Sequence, residues 1–496
     1  MRTSERVPLW VQGCVRGCFT GGDVTSSPEA NLTQLDKIWA AHCVAQLGTS
    51  ASLLRVDRHF IHDLVGGPAL RELRKRSLTV RNPELTFATV DHAVSTARNR
   101  ATATNQVGGQ LLREMRRRVY ETGIRLFDLG QPGQGIVHVM SPELGLALPG
   151  MLIVCGDSHT CTLGGLGALA FGIGSTEVVH VLATQTLRQG KPAAMRLWFE
   201  GQPSAWISAK DLILYAIRHM GAAAGRGFAI EYAGSVVRSL DIESRLTICN
   251  LSIELGAKIG FVAPDDVTFE YVATRPLAPK GATLDAAIET WKRLPSDPEA
   301  VFAAERAFDC TRITPQITWG TSPEDTISID EALPDPDREA DPERRKRMRR
   351  ALSYMGLTPG QRLAGTPVDW VFIGSCANSR LSDLRVAARV LEGRRVAERV
   401  RAWVVPGSEA VKREAESAGL DRIFRAAGCE WRNPGCSLCL AANGEFVGPR
   451  QRAVSTSNRN FVGRQGPGAR THLASPASAA AAAITGSIFD VRALMQ

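Results

Sequence analysis

Short apolar runs bounded by turn residues recur along the chain and predict strands, two of which, at 151–155 and 368–374, have the composition of buried strands. The clearest runs are SLLRVD (52–57), MLIVC (151–155), VDWVFIG (368–374) and RAWVVPG (401–407). A Gly- or Ser-rich turn and a stretch of helical spacing follow each of the last three runs. This order of elements is typical of α/β domains with parallel sheets.

Helical spacing is clearest in three other segments. The sequence LTQLDKIWAAHCVAQLG (32–48) predicts one helix that ends at Gly48, and RLSDLRVAARVLEG (380–393) predicts another that ends at Gly393. The run SPASAAAAAITG (475–486) predicts a short alanine-rich helix. After MLIVC, the Gly-rich segment GGLGALAFGIG also predicts packing of small-residue helices, because no second strand with a terminal acid follows it as in a dinucleotide site.

The length of 496 residues predicts several domains. We expect a loose N-terminal extension at 1–30, since those residues have no periodic pattern. Three α/β domains are then predicted at 31–195, 196–320 and 365–496. A linker is predicted at 321–364, where Pro, Asp and Glu are dense and apolar periodicity is lacking.

Basic residues outnumber acidic ones by 59 to 50, and this excess allows a nucleic-acid partner or a small acidic substrate. The densest basic run, RRKRMRR (344–350), directly follows an acidic Pro-rich stretch and contains no aromatic residue. That pattern favours a solvated flank of the linker over a nucleic-acid surface, so nucleic acid is an unlikely partner.

Eleven cysteines occur without a secretory signal, and no apolar run approaches the roughly 18 residues of a membrane span. We therefore expect reduced thiols, a cytoplasmic location and no membrane partner. One Cys-x-x-Cys pair is present, Cys436 and Cys439 in NPGCSLCLAANG, and alone it fits a redox couple, half a zinc site or an iron–sulfur site.

A third cysteine, Cys376, lies in the turn IGSCANS between a predicted buried strand and a helix. Three thiolates can hold a cubane cluster while one iron lacks a protein ligand, and such an iron can act as a Lewis acid. Cys155, Cys249 and Cys429 stay open as possible fourth ligands.

Acid–base candidates follow other predicted strands. Asp91 and His92 form a carboxylate–imidazole pair in FATVDHAVST, and Asp157 and His159 lie in GDSHT after a strand. His138, in QGIVHVM, fits a core position and a site position equally well.

Arginine candidates lie near the carboxyl terminus. Arg459 and Arg464 lie in a Gly- and Asn-rich loop, where guanidinium forks suit a di- or tricarboxylate, although exposed surface arginines are the simpler interpretation.

Taken in order, many stretches resemble the aconitase superfamily and, within it, the large subunits of isopropylmalate isomerases. The resemblance covers about residues 31–496, and its clearest segments are VDRHFIHDL, FATVDHAVST, VCGDSHT, TICNLSIELGAK, VFIGSCANSR, WRNPGCSLCLAANG and STSNRNFVGRQG. It implies three-layer α/β/α domains packed around an iron–sulfur cluster. It also implies a hydro-lyase of leucine biosynthesis that isomerises 2-isopropylmalate to 3-isopropylmalate by dehydration and rehydration.

The resemblance further implies one 4Fe-4S cluster with an open iron on Cys376, Cys436 and Cys439. The catalytic residues that it implies are Asp91, His92, His138, Asp157, His159 and Glu254. The substrate-binding residues that it implies are Arg459, Arg464, Asn250 and Asn458. Ser375 or Asn378 would support the site.

In this family a serine on a swivelling domain removes the carbon-bound proton, and in this branch a separate small subunit carries that domain. We therefore expect the chain alone to be inactive and to need a small-subunit partner. Ala377 replaces the usual threonine beside a cluster ligand, and Cys161 and Leu163 replace alanine and histidine. These departures also fit a paralogue that acts on another substituted malate or on homoaconitate. RNA binding by the cluster-free form and a thiol–disulfide role are competing functions of different classes.

Overall fold

The computed structural model describes residues 31–100, 103 and 105–495, so the extension predicted at 1–30 lies outside the described residues. The strands of the described residues are β1 (Cys43–Leu47), β2 (Ala51–Arg55), β3 (Arg58–His62), β4 (Thr86–Thr89), β5 (Arg125–Phe127), β6 (Leu152–Cys155), β7 (Leu169–Gly172), β8 (Thr186–Gln189), β9 (Ala193–Glu200), β10 (Phe228–Ala233), β11 (Ile259–Val262), β12 (Ala304–Asp309), β13 (Gln316–Thr318), β14 (Thr326–Ser328), β15 (Trp370–Ile373), β16 (Arg401–Val404), β17 (Glu430–Trp431), β18 (Arg452–Ser455) and β19 (Arg470–Leu473).

The α-helices of the same residues are α1 (Gln34–His42), α2 (Gly66–Lys75), α3 (Gln106–Thr122), α4 (Val137–Leu144), α5 (Ser175–Thr184), α6 (Ala209–Met220), α7 (Ser235–Ser239), α8 (Ile242–Asn250), α9 (Asp266–Ala273), α10 (Ala282–Trp291), α11 (Pro342–Met355), α12 (Leu381–Leu391), α13 (Glu409–Ser417), α14 (Leu420–Ala427), α15 (Pro476–Thr485) and α16 (Val491–Leu494). No described helix combines the length and the apolar character that a bilayer crossing requires.

Two five-stranded sheets share one topology. Their strand orders are β5-β4-β3-β6-β7 and β17-β16-β15-β18-β19, and every neighbouring pair in both sheets is parallel. In each sheet the chain moves outward from its first strand and then returns to the other side of that strand. The connections therefore diverge between β3 and β6 and between β15 and β18. Open α/β sheets place ligands at the carboxyl end of such a switch point.

A third parallel sheet, in the order β11-β10-β9-β12, lies between these two sheets along the chain. Two small antiparallel sheets, β1-β2-β8 and β13-β14, complete the strand pairing.

Both faces of the five-stranded sheets are covered. On β6, Leu152 and Val154 pack into one apolar cluster, whereas Ile153 packs into another on the opposite face. Val371 and Phe372 on β15 likewise belong to different clusters. Burial on both faces is the property that makes parallel strands read as continuous apolar runs. The predicted α/β class of layered domains is confirmed, as are the strands predicted from those runs.

The helix predicted for 32–48 is wrong in its second half. Helix α1 ends at His42, and Cys43 already has extended backbone with φ of −72° and ψ of 110°. Residues 43–47 then pair antiparallel with β2, so strand pairing overrides the helical spacing of their apolar residues.

The small-residue helices predicted after MLIVC are also partly wrong. A 3₁₀ helix (Ser158–Leu166) and strand β7 occupy this segment before α5 begins. The glycines serve close backbone approach here, since a Cβ at Gly164 would lie 1.8 Å from the Gly260 carbonyl oxygen.

The segment predicted as a linker, 321–364, contains β14 and α11 and packs against a core. Helix α11 begins at Pro342, and the side chain of the preceding Asp341 caps it. Met348 and Leu352 of α11 and Ile327 of β14 join the apolar cluster that packs on β15. The basic run forms the exposed face of α11. Because these charged residues dominate the segment, its short apolar stripe does not stand out in the sequence. The predicted domain boundaries stay a prediction, although the one at 195/196 falls within β9.

Candidate active site

The carboxyl edges of the two five-stranded sheets meet. The backbone N–H of Cys436, in the loop after β17, donates to the Asp91 carbonyl oxygen at 2.8 Å, in the loop after β4. The Thr96 hydroxyl likewise donates to Ser437 Oγ at 3.1 Å. Side chains that follow strands of both sheets therefore converge on one buried region, as the topology leads one to expect.

A carboxylate–imidazole pair forms the centre of the first edge. Asp91 Oδ1 lies 2.5 Å from His92 Nδ1, and Asp91 Oδ2 accepts the backbone N–H of Val137 at 3.0 Å. Asp63, which follows β3, accepts the backbone N–H groups of His92 and Ala93 at 3.1 and 2.5 Å. Burial opposes a charge on the His92 ring, but Asp91, Cys436 and Asp157 together outweigh burial, so the pKa of His92 lies well above its ordinary value. The raised pKa favours the charged form of the ring.

Asp157 joins three histidines. Its carboxylate oxygens lie 3.4 Å from His92 Nε2, 3.3 Å from His138 Nε2 and 3.6 Å from His159 Nδ1. Burial favours the neutral acid, but the three nearby imidazoles together outweigh burial and hold the pKa of Asp157 well below its ordinary value. Helix α4 contributes His138, and the 3₁₀ helix after β6 contributes His159.

Glu254 links this network to the arginine loop. His159 Nε2 lies 3.0 Å from Glu254 Oε1, and Arg459 Nε donates to the same oxygen at 2.6 Å. Burial would raise the pKa of Glu254, but His159 and Arg459 together outweigh it and lower that pKa. Arg459 follows β18 and remains 24% exposed, so one side of its guanidinium is open to a ligand.

The three predicted cluster cysteines are buried, and amide side chains contact two of them. Asn458 Nδ2 donates to Cys376 Sγ at 3.3 Å, and Asn458 Oδ1 accepts from Cys439 Sγ at 3.4 Å. Asn250 Nδ2 donates to Cys376 Sγ at 3.2 Å, and Arg464 Nη2 lies 3.8 Å from Cys439 Sγ. One amide therefore spans two thiols that are 63 positions apart in the chain.

This donor set fits an iron–sulfur cluster. Three soft sulfur ligands are available, and the sulfurs of Cys376 and Cys439 receive N–H donors, which are the groups that stabilise thiolates and tune such clusters. Burial raises the pKa of Cys376 to about 12, so its thiol ionises only beside a cation. Arg464 Nε is buried without a hydrogen-bond partner among the described residues, which leaves a donor for a bound anion beside Cys439.

The other cysteines lie in apolar cores. Cys249 packs with the core of the third parallel sheet, Cys155 lies on β6, and Cys429 follows α14. Cys161 Sγ lies 3.6 Å from the Asn250 carbonyl oxygen and borders the site. Whether any of them is a fourth ligand stays open.

The two predicted supporting residues hold the cysteine turn. Ser375 Oγ accepts the Ala377 N–H at 3.2 Å, and Asn378 Nδ2 donates to Asp383 Oδ1 at 2.8 Å. Both contacts lie within the turn or at the start of α12, so neither side chain is the direct partner of a thiol.

A second group could in principle hold a metal ion: His62, Asp63, Asp91 and His92 have potential ligand atoms within 4.8 Å of one another. We interpret this group as a hydrogen-bonded network, because the oxygens of Asp63 and Asp91 already accept backbone N–H groups or the His92 ring. Harder oxygen and nitrogen donors also suit a cluster less well than thiolates do.

Three residues of the site were not singled out from the sequence. His62 stacks on His92 with ring centroids 4.3 Å apart, and burial lowers the pKa of His62 to about 4, so its ring is neutral. Thr162 accepts from Asn250 Nδ2 at 2.7 Å. Lys210 is fully buried and donates to the carbonyls of Thr456 and Ser457, just before Asn458. The only sequence signal was the His-Asp dipeptide that ends strand β3.

All the predicted site residues belong to one connected set of contacts. Its members are Asp91, His92, His138, Asp157, His159, Asn250, Glu254, Cys376, Cys436, Cys439, Asn458, Arg459 and Arg464. Their individual roles stay predictions.

Comparison with known proteins agrees with this geometry. A family model described as the aconitase family (aconitate hydratase) matches residues 36–486. The chain is 62% identical over 462 residues to "3-isopropylmalate dehydratase large subunit 1" of Bradyrhizobium diazoefficiens, and this alignment covers 93% of the chain and 97% of that relative. The chain therefore belongs to the aconitase family.

Proposed function

We propose that this chain is the large subunit of an iron–sulfur hydro-lyase that isomerises 2-isopropylmalate to 3-isopropylmalate in leucine biosynthesis. The name and the 62% identity of the Bradyrhizobium relative support the substrate. The observation that carries the proposal is the meeting of two sheet edges, where the Cys436 N–H donates to the Asp91 carbonyl and so brings the cysteine loop beside the Asp91–His92 pair.

Family membership implies an iron–sulfur cluster, and we propose one 4Fe-4S cluster on Cys376, Cys436 and Cys439 with one iron left without a protein ligand. Bound there, such a cluster would supply a Lewis acid for the substrate carboxylate and hydroxyl. The amides of Asn250 and Asn458 would hold the Cys376 sulfur in place.

The roles of the other residues follow from their charges and contacts. His92, held charged by Asp91, would donate the proton that turns the leaving hydroxyl into water. Asp157 would fix the His92 ring through its second nitrogen, 3.4 Å away. Arg459 and Arg464 would bind the substrate carboxylates, because guanidinium forks match carboxylates in two parallel hydrogen bonds.

Neighbouring groups would keep this arrangement in place. His138 and His159 both lie within 3.6 Å of the Asp157 carboxylate. Glu254 would orient Arg459, since Arg459 Nε donates to its carboxylate at 2.6 Å.

A small subunit that carries the swivelling domain would supply the base that removes the carbon-bound proton. Three large apolar side chains beside the arginine loop support such a partner: Phe446, Phe461 and Val462 are 56%, 49% and 58% exposed. Their loops lie side by side, since the Val447 N–H donates to the Gln465 carbonyl at 2.7 Å. Exposed apolar patches of this kind mark protein contacts.

All nine cysteines of the described residues are free thiols, which supports a reducing compartment, and we propose the cytoplasm.

The decisive experiment is anaerobic co-expression of this chain with a small subunit of the same family, followed by iron and sulfide analysis and an assay on 2-isopropylmalate. We expect a brown complex that forms 3-isopropylmalate and a large subunit that is inactive alone. Parallel assays on other substituted malates and on homoaconitate distinguish between the candidate substrates. An iron-free protein, or a loaded complex that leaves 2-isopropylmalate unchanged, would contradict the proposal.

A further inference from the structure

The turn that carries Cys376 has an unfavourable backbone. Ser375, the residue before the cysteine, has a φ of +82°, and this left-handed region is rarely adopted by a residue with a side chain other than Asn or Asp. Such a conformation persists only where surrounding contacts impose it. The position of Cys376 therefore depends on groups outside the turn.

Two side chains hold the turn in this conformation by donating hydrogen bonds to one carbonyl group. The Ala377 carbonyl accepts from Thr247 Oγ1 at 2.8 Å and from Arg380 Nη1 at 3.0 Å. Ala377 is fully buried, and both donors are 1% exposed, so water does not compete for these hydrogen bonds. Thr247 lies on α8 one turn before Asn250, which donates to the Cys376 sulfur.

The Arg380 side chain is buried although it has only one hydrogen-bond acceptor among the described residues. Its side chain makes its single hydrogen bond within the described residues to the Ala377 carbonyl, and Nε and Nη2 have no partner there. The carboxylates around it are engaged elsewhere. Asp383 accepts from Asn378, Glu243 accepts the Ser382 N–H, and Glu143 accepts from Ser408. No described carboxylate lies within 4.0 Å of the guanidinium, and its charge acts on Asp383 and Glu143 only from a longer distance.

We propose that Thr247 and Arg380 are positioning residues that clamp the Ala377 carbonyl from two sides and thereby fix Cys376 relative to Cys436 and Cys439. The inference rests on the proposed ligation of a cluster by these cysteines. Neither residue touches substrate or cluster; each acts through the backbone of the turn. We call this pair of hydrogen bonds the carbonyl clamp.

The carbonyl clamp is tested first on the full-length chain after iron has been removed with a chelator. The variants are Thr247→Val, Arg380→Met and Arg380→Gln, and the rates of iodoacetamide alkylation of the three cysteines are measured by peptide mass spectrometry. Thr86→Val is the matched control, because Thr86 is fully buried and its hydroxyl has no partner among the described residues. Unfolding temperatures show which variants keep the fold.

We expect Arg380→Met and Thr247→Val each to raise the alkylation rate of Cys376 by about tenfold, the size of one lost buried hydrogen bond. The rates at Cys436 and Cys439 should stay unchanged. Arg380→Gln keeps an N–H donor on a shorter side chain and should lie between Arg380→Met and the parent chain. Unchanged reactivity of Cys376 in both Thr247→Val and Arg380→Met would overturn the proposal, as would an equal rise at all three cysteines.

The same variants in the iron-loaded complex should lose their visible absorbance faster under chelation than the parent does. If the parent chain binds no iron, the proposed function fails, but the alkylation rates still decide whether the carbonyl clamp exists. If the parent binds iron and the variants release it at the parent rate, the clamp fails while the proposed function stands.

Discussion

The two five-stranded sheets have the same strand order but different chemistry at their carboxyl edges. The first edge, after β3, β4 and β6, carries Asp91, His92 and Asp157, whose side chains each bond at least two groups. The second edge, after β15, β17 and β18, carries thiols and guanidiniums, and Arg459 is 24% exposed. The charged groups of the first edge pair with one another within the described residues, whereas in the second edge Arg464 Nε is buried without a hydrogen-bond partner there.

This difference has a physical origin. Charged imidazoles and carboxylates can be buried when they neutralise one another, so the first edge is stable without a ligand. The buried thiols have only amide and guanidinium neighbours, and Arg464 Nε has no acceptor among the described residues, so we expect a cluster, a substrate or a second subunit to complete the second edge. The proposed reaction thus needs one edge that is preformed and one that is completed on assembly.

Replacing a thiol of the second edge should have the largest effect. Cys376→Ser removes one of three proposed soft ligands, and we expect the co-purified complex to lose its iron and to show no detectable dehydration. The contacts of the first edge do not involve this sulfur, so the unfolding temperature of the iron-free chain should change little. Iron analysis, absorbance and calorimetry measure these effects.

Cys429→Ser is the control for that change, since Cys429 is also buried but lies after α14 in the apolar core. It should keep iron and activity. Retention of a full cluster by the Cys376→Ser variant would show that the second edge does not use this ligand.

Removing a charged side chain of the first edge should have the next largest effect on activity. His92→Gln removes the charged proton donor, and loss of a general acid typically lowers kcat by roughly 10²- to 10⁴-fold. The iron content should stay close to that of the parent, because His92 lies beside Cys436 but is not a proposed ligand. His180→Gln, on the exposed face of α5, should leave kcat unaltered. A fall of less than tenfold would mean that another group protonates the leaving hydroxyl.

The sequence predicted some strands and helices of the fold and missed others. Apolar runs predicted β6, β15 and β16, because strands buried on both faces leave a continuous pattern. Helix α11 was missed since its buried stripe is short and its exposed face is densely basic. Strand β1 was missed because pairing with β2, which the local pattern does not record, decides its structure.

The site shows the same limit. Cys436 and Cys439 are predictable as a pair from their spacing, and Cys376 from its turn between strand and helix. Contacts such as Asn250 with Cys376, 126 positions apart, depend on tertiary packing. Without the family resemblance, Arg459 and Arg464 would have been assigned to the surface.

Replacing the Arg464 guanidinium by an ammonium group should have a moderate effect on substrate binding. Arg464→Lys keeps the charge but loses the fork, and we expect KM for isopropylmalate to rise by roughly tenfold with a smaller change in kcat. Arg312→Lys, at an exposed position, should leave both constants unchanged. Steady-state kinetics separate the two constants. An unaltered KM would indicate that Arg464 supports Cys439 rather than the substrate.

The smallest effect should come from the rim of the second edge, where the chain would meet its partner. Val462 is 58% exposed beside the arginine loop, and Val462→Ser removes apolar surface worth about 1 kcal/mol when buried, or roughly fivefold in the dissociation constant of the small subunit. Val301→Ser is the matched control, because Val301 is 80% exposed and lies before β12. Calorimetric titration of the large subunit with the small one measures both. Equal dissociation constants for the two variants would place the interface elsewhere. The exposure of the second edge would then serve substrate entry alone.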